Sequence, residues 1–397
     1  MTLPLPLRLP TEVSPRLLSN FIFKGGLGSL ASINRFERRR RRGEPFFPAF
    51  VHISITNRCN LSCQGCWVTQ TPECSMSPET FAHIIGESRT QGCRLFGILG
   101  GEPLLHPQWE AMLAACPSSY FQFFTNGLLL TDDVAQRMAR LGNISPLISV
   151  EGGPAAAAAR RGTDDANPGA LRALAACRRA RIVTGVATSV CRSSFADVVS
   201  VDFIRQMTAR GAHYLWYYIY RPTGENPTLE EALSEAQIIE LRRFLVEQRG
   251  RHPIMLIDTY WDDRGRALCP AATGISLHIN PAGDIEPCPP VQCSDCRVDP
   301  AASLTATVAA SPFLTAFRRE IPALTRGCIL LDRPDALAPL AHAHDARDTS
   351  GRPNDLAAIA ARPPCPGHHL PGHEIPERQW IYRLAKRNWF FGFGAYG

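Results

Sequence analysis

Ile55-Thr56-Asn57-Arg58-Cys59-Asn60-Leu61-Ser62-Cys63-Gln64-Gly65-Cys66-Trp67 places three cysteines within eight residues, directly after an alternating apolar run, Val51 to Thr56, that reads as a strand. The spacing is C-x3-C-x2-C. Three thiolates on one loop suit a 4Fe-4S cube with one iron left open for a ligand that is not protein, whereas an electron-transfer ferredoxin normally closes that position. A zinc knuckle or three buried thiols are the alternatives that the spacing alone leaves open.

Gly100-Gly101-Glu102-Pro103 ends the next apolar stretch, Leu95 to Leu99. Glycines there let backbone approach a ligand closely, and a neighbouring carboxylate can receive an ammonium group. Taken together, the triplet and this segment resemble the radical SAM superfamily. The resemblance implies that Cys59, Cys63 and Cys66 hold a 4Fe-4S cluster whose open iron is chelated by S-adenosylmethionine, and that reduction yields a 5′-deoxyadenosyl radical that abstracts hydrogen. It also implies that Trp67 lies near the adenine and that Gly100, Gly101, Glu102 and Pro103 hold the methionine amino group.

Outward from these motifs, strand-like and helix-like segments alternate six times between residues 51 and about 250. The strands are expected at Val51–Thr56, Leu95–Leu99, Phe121–Thr125, Ser145–Val150, Ile182–Val190 and His213–Tyr220. Helix signals separate them: Ser77-Pro78 as cap and first residue, a helix from near Asp132 closing at Leu141-Gly142, and capping boxes at both Thr228 and Ser234. Strand-helix repeats imply right-handed crossovers and a parallel sheet, so the expected fold is α/β, a partial (β/α)6 TIM-like barrel with its chemistry where strands end.

Lesser motifs stand at those ends. Asn126-Gly127 is an ordinary turn by itself, and a serine late in a strand usually satisfies backbone. The resemblance raises Asn126, Ser149 and Ser189 to contacts of the S-adenosylmethionine, and Arg221-Pro222-Thr223-Gly224 to backbone near its adenine. Glu151 stands where relatives carry Asp in a Ser-x-Asp-Gly element. The connection Gly153 to Pro168, with five alanines and Arg160-Arg161, reads either as a mobile lid or as a surface helix.

After residue 255 the alternation stops. Cys269 is followed by a strand-like segment Ile275–Asn280, a hairpin turn Pro281-Ala282-Gly283-Asp284, and Cys288. This spacing resembles the opening of SPASM and twitch extensions, small C-terminal iron-sulfur extensions that bind auxiliary clusters. The resemblance implies an auxiliary 4Fe-4S cluster on Cys269, Cys288 and Cys328, with Cys293, Cys296 or Cys365 as the fourth ligand or that position left open. Cys293 and Cys296 are equally well incidental thiols or zinc ligands. Cys74, Cys93, Cys116, Cys177 and Cys191 lack metal spacing and are expected in the core.

The resulting division is an N-terminal helical and basic segment (1–48), the barrel (49–252), the auxiliary cluster domain (253–331), a flexible Pro/Ala/His-rich segment (332–372) and an aromatic, basic tail (373–397). Five of the eleven histidines fall between His342 and His373. A metal site there is conceivable, but a poorly packed loop is the first reading.

Composition narrows the function classes. Fourteen cysteines in 397 residues are far too few for a disulfide scaffold, and with no secretory start or membrane span they read as reduced, in a cytoplasmic protein. The net charge is +6, yet forty of the forty-two basic residues are arginine. That skew points to a biased genome and not to a nucleic-acid partner. Arg38 to Arg42 form one dense patch, either a solvated helix end or a contact for acidic headgroups.

Residues 17–36 hold Phe21, Ile22, Phe23, Leu27 and Phe36, and residues 380–397 hold Trp380, Tyr382, Trp389, Phe390, Phe391, Phe393 and Tyr396 among basic residues. Both ends either complete the core or make a peripheral membrane contact or greasy substrate site. The expected function is a radical SAM enzyme acting on a small-molecule or lipid-like biosynthetic intermediate, with a ribosomal peptide as close competitor and an electron donor such as flavodoxin or ferredoxin as partner. A non-catalytic iron-sulfur carrier or zinc scaffold is the remaining alternative. No catalytic side chain is assigned from the sequence.

Overall fold

Nine strands form one sheet in a computed structural model of the chain, which describes residues 4–388. Six of them, β1 (Phe50–Ser54), β2 (Leu95–Leu99), β3 (Tyr120–Thr125), β4 (Ile144–Ser149), β5 (Gly185–Val190) and β6 (Tyr214–Ile219), lie where the apolar runs predict them. Each pairs in parallel with the next, because the intervening helices return the chain to the same end of the sheet. Local signals act as expected. Ser77 Oγ accepts from Thr80 N, and the last barrel helix starts at Ser234 with both halves of its capping box made. The competing start at Thr228 gives only the short turn Leu229–Glu231.

The sheet does not stop at six strands. β7 (Met255–Ile257) continues it in parallel beside β6, and β8 (Ser276–Ile279) pairs in parallel with β1 on the opposite side. The expected hairpin is present, since β8 turns back antiparallel into β9 (Ile285–Glu286). Its first strand is at the same time a barrel strand, which a local pattern cannot reveal because β8 finds its partner more than 220 residues earlier in the chain. The order β7-β6-β5-β4-β3-β2-β1-β8-β9 ends in two edges, so the barrel is open on one side.

The N-terminal helices run across the floor of the barrel. Arg8 donates to the carbonyls of Pro253 and Ala212, ahead of β7 and β6, and Ser14 N donates to Arg181 O ahead of β5. Asn20 then reaches Gly142 O, Lys24 reaches Pro117 O, Ser32 reaches Gly92 O and Arg39 reaches Phe47 O, ahead of β4, β3, β2 and β1. Residues 8–39 therefore satisfy, strand by strand, carbonyls that the loops leave at this end. Val13, Leu17, Ile33 and Phe36 are buried beneath the sheet.

Residues 332–372 depart from the flexible segment that their composition suggests. They contain the helices Leu337–Ala343 and Asp355–Ala360, with Leu337, Leu340, Ala341, Leu356 and Ile359 buried. Leu337, Leu340 and Ala341 make an i, i+3, i+4 stripe that the surrounding prolines and alanines mask. Beyond it, Glu377 and Lys386 enter a fully buried ionic cluster with Arg242, Arg249 and Asp258, which fastens the helix Trp380–Asn388 beside β7. The aromatic tail from Trp389, including Phe390, Phe391, Phe393 and Tyr396, lies outside the described residues. Among the described residues no helix is long and apolar enough to cross a membrane.

Candidate functional site

The cysteine loop leaves β1 and is fixed on every side. Asn57 anchors it through Nδ2 to the carbonyls of Thr69 and Pro72 and through Oδ1 to Cys74 N, while Gln70 bonds Cys59 N and Leu61 O. Gly101 N and Glu102 N donate to the carbonyls of Thr56 and Arg58 at 2.8 and 2.7 Å. A Cβ on Gly100 or Gly101 would collide with those same carbonyls. The glycine pair thus lets the end of β2 lie directly on the cysteine loop, a role additional to ligand approach.

Glu102 is fully buried. Its carboxylate accepts from Leu104 N, Thr125 Oγ1 and Asn126 N at 3.1, 2.9 and 2.8 Å. Burial raises its pKa to about 7 against the lowering effect of these donors. Asn126 Nδ2 then reaches Asn60 Oδ1 at 2.7 Å, so the third strand end is tied to the cysteine loop. Asn126 and Ser149 line one narrow cleft with Leu61, Glu151, Arg161 and Asn167. Ser189 meets this group through its backbone N, which donates to Glu151 at 3.1 Å. Trp67 is half-buried, and its carbonyl accepts from Arg352 Nη1 at 2.9 Å. Pro103 opens the turn Pro103–Leu105, which Glu102 caps.

The connection after β4 holds two residues to which the sequence reading gave no role. It forms the helix Pro154–Arg161 and points its last two arginines at the cysteine loop. Arg161 pairs with the buried Glu151 and donates from Nη1 to Cys63 Sγ at 3.6 Å. Although burial opposes its charge, Glu151 and Cys63 hold it above the usual arginine range. Arg160 lies over the Tyr220 ring at 4.8 Å, with Nε and Nη1 buried and unpartnered among the described residues. Its charge is felt at Cys66. The signal in the sequence was the Arg-Arg pair nine and ten residues after Glu151, closing an alanine helix.

The donor set fits an anionic thiolate cluster. Cys59 is pushed up to about 12 by burial and Cys66 is also raised by burial, so neither is a free nucleophile, and each becomes a thiolate only against a positive partner. The two arginines supply positive charge on the protein side. All fourteen cysteines are unpaired by disulfides. Among the described residues no three His, Cys, Asp or Glu side chains converge as ligands of a single ion.

A second group of thiols lies at the open side of the barrel. Cys269 and Cys288 lie close enough to Cys328 for its charge to raise both their pKa values, with burial the larger cause at Cys269, pushed up to about 11, and at Cys288. Arg221, just after β6, donates from Nε to Cys328 Sγ at 3.1 Å and lies over Tyr260. Tyr260, Cys328 and Cys288 hold Arg221 well above its usual range despite its burial. Its side chain therefore serves the second thiol group. Of the three candidate fourth ligands, Cys293 neighbours Cys288. Cys296 sits beside Asp295, Ser294 and Ser311, and Cys365 has Arg192 as its charged neighbour. His368 is wedged against Tyr260 and Trp261 with Nε2 on Leu268 O.

Arg352 ties the two groups together. It bonds Trp67 O and Thr69 Oγ1 on the first loop and Gln292 Oε1 beside Cys293 on the second, and it pairs with Asp355.

Comparison with known proteins agrees with this architecture. The family model "Radical SAM superfamily" matches residues 53–191. This part of the chain is a radical SAM domain, whose cofactors are a 4Fe-4S cluster and S-adenosylmethionine. A probable GTP 3',8-cyclase of Methanosarcina acetivorans is 40% identical over 88 residues, 20% of this chain and 26% of that protein. The PqqA peptide cyclase of Streptomyces rochei is 26% identical over 275 residues, 61% of this chain and 69% of that enzyme. The fold resembles Streptococcus suis SuiB bound to its precursor peptide SuiA, with TM-score 0.61 and 13% identity over 72% of this chain and 70% of that one. The match to the cyclase spans about a quarter of that protein's length.

Proposed function

We propose that the protein is a radical SAM enzyme that modifies a peptide substrate, with an auxiliary iron-sulfur cluster beside the radical site. The observation that carries this reading is the presence, on one continuous sheet, of two separate thiol groups, each faced by a half-buried arginine. Cys59, Cys63 and Cys66 would hold the cluster that binds S-adenosylmethionine, and Cys269, Cys288 and Cys328 the auxiliary one, with Cys293 the nearest fourth thiol. When bound, the first cluster and S-adenosylmethionine supply a 5′-deoxyadenosyl radical able to abstract hydrogen.

The chain's own residues position and insulate that chemistry. Glu102 and Asn126 hold the ends of β2 and β3 against the cysteine loop, and Gly100, Gly101, Pro103, Ser149, Ser189 and Trp67 complete the expected surroundings of the S-adenosylmethionine. Arg160 and Arg161 offset negative charge at the first thiol group, as Arg221 does at the second. A flavodoxin- or ferredoxin-type donor belongs to this reading. A peptide is favoured over the small-molecule or lipid-like substrate because the likeness to a peptide cyclase runs over most of that enzyme, whereas the likeness to a nucleotide cyclase stops after 88 residues.

Anaerobic reconstitution followed by dithionite and S-adenosylmethionine tests the enzyme reading through 5′-deoxyadenosine. Formation by the wild type and only background from Cys63→Ala is the expected result. Short peptides encoded beside the gene then test the substrate, the expected outcome being loss of hydrogen from one of them by mass spectrometry. Turnover without any peptide change would refute the peptide assignment.

A further inference from the structure

Four of the eight large exposed apolar side chains among the described residues stand on the floor of the barrel, opposite the first cysteine loop. Leu7, Ile22, Phe23 and Leu27 stand on the N-terminal helices that underlie the strands, and Phe23 is 63% exposed. Trp380, at 66%, with Ile381 and Leu384, stands on the helix whose Tyr382 bonds Leu256 N in β7. The eighth, Leu324, ends the helix Pro312–Leu324. Apolar side chains gathered at one end mark a contact surface.

The same end is cationic. Arg38, Arg40, Arg41 and Arg42 are exposed, as are Arg16 and Arg383. The nearby acids are matched within the chain: Glu12 pairs with Arg8, Glu37 with Arg40 and Glu44 with Arg42. Arg41 forms no ion pair among the described residues, so positive charge is left over.

Between the helix Gly28–Arg42 and the helix Pro312–Leu324 opens a cavity of about 480 Å³, walled by Phe46, Leu268 and Cys269 with Arg39, Glu44 and Arg318. The Arg318 guanidinium lies 3.5 Å from the Phe46 ring centroid, and its Nη1 is buried with no hydrogen-bond partner. Burial lowers its pKa to about 10. A buried guanidinium nitrogen without a partner, beside an aromatic ring and among other arginines, suits an anion attached to an apolar body.

We propose that this floor docks on an anionic lipid bilayer, with Phe23, Trp380 and their apolar neighbours at the headgroup boundary, the exposed arginines on lipid phosphates, and the Arg318 cavity receiving one headgroup. A plane accounts for the arrangement because the apolar side chains stand in small groups on separate helices, interspersed with cations, and not along one groove. The first cysteine loop then faces away from the membrane and stays open to substrate. This inference does not depend on the radical reading.

Sedimentation of the reconstituted full chain with vesicles tests it, comparing phosphatidylcholine alone with phosphatidylcholine containing about one-third phosphatidylglycerol. The expected result is binding at least ~10-fold stronger to the anionic vesicles and weakened by salt. Arg41→Glu should weaken it about 5-fold or more, and Phe23→Asp and Trp380→Asp should bring it to the level of neutral vesicles. All three positions are exposed, and unchanged iron content and 5′-deoxyadenosine formation in solution would show that the variants fold. Equal binding to both vesicle types, no binding, or indifference to all three substitutions would overturn the proposal. So would concentration-dependent self-association through this face that the same substitutions abolish.

Discussion

Cys59, Cys63 and Cys66 come from eight consecutive residues of one loop, whereas Cys269, Cys288 and Cys328 come from three segments that only folding brings together. The first group is preorganised by short-range contacts such as those of Asn57 and Gln70. The second depends on β8 finding β1 and on Arg221 arriving from the far side of the open barrel. The difference teaches where each site is vulnerable: the first to changes in its own loop, the second to changes in long-range packing.

The sharpest way to break the comparison is to remove one thiol from the assembled site. Cys328→Ala should cost about half of the bound iron, while Cys293→Ala costs less, because Cys293 is adjacent to Cys288 alone. Iron and sulfide analysis checks this. Loss only in Cys293→Ala would mean that Cys328 is not a ligand and that Arg221 simply holds a core thiol.

A smaller effect is expected from the arginines. Arg161→Gln should reduce 5′-deoxyadenosine formation roughly 10–100-fold with little change at the auxiliary site, and Arg221→Gln should weaken iron retention there and spare the first site. Electron paramagnetic resonance of the reduced clusters separates the two. If either variant perturbs both signals equally, the sites are not independent.

The smallest effect lies in Glu102. Its pKa is raised by burial to about 7, above the ordinary 4.5, so its contribution to stability is complete below about 4.5 and is lost as pH rises through about 7. Glu102→Gln cannot ionise. The wild type should therefore lose up to about 3 kcal/mol relative to this variant between about pH 5 and pH 8, seen as a convergence or crossing of their unfolding temperatures. Parallel curves would show that the donors from Leu104, Thr125 and Asn126 keep the carboxylate ionised.

Legibility in the sequence followed distance along the chain. The six strands, the cap at Ser77, the cysteine triplet and the Gly-Gly-Glu-Pro segment were all readable, because each is specified within a few residues. The floor of N-terminal helices was not, since its meaning lies in carbonyls of Pro253, Arg181 and Gly92 that no spacing relates to residues 8–32. Arg160 and Arg161 were seen as part of a lid or surface helix, and the helix direction alone turned them toward Cys66 and Cys63. Cys293, Cys296 and Cys365 were equivalent in sequence and are distinguished by their neighbours in space.

By itself the sequence determined the α/β alternation, the cysteine triplet and the chemistry that three thiolates on one loop permit, because periodicity and local spacing encode those directly. Only the tertiary structure decided that β8 closes onto β1, that arginines from two different connections face the two thiol groups, and that the apolar and basic ends of the chain share one floor. The physical reason is that these features are pairings between distant residues, and what selects them is burial and charge neutralisation, which no local pattern records.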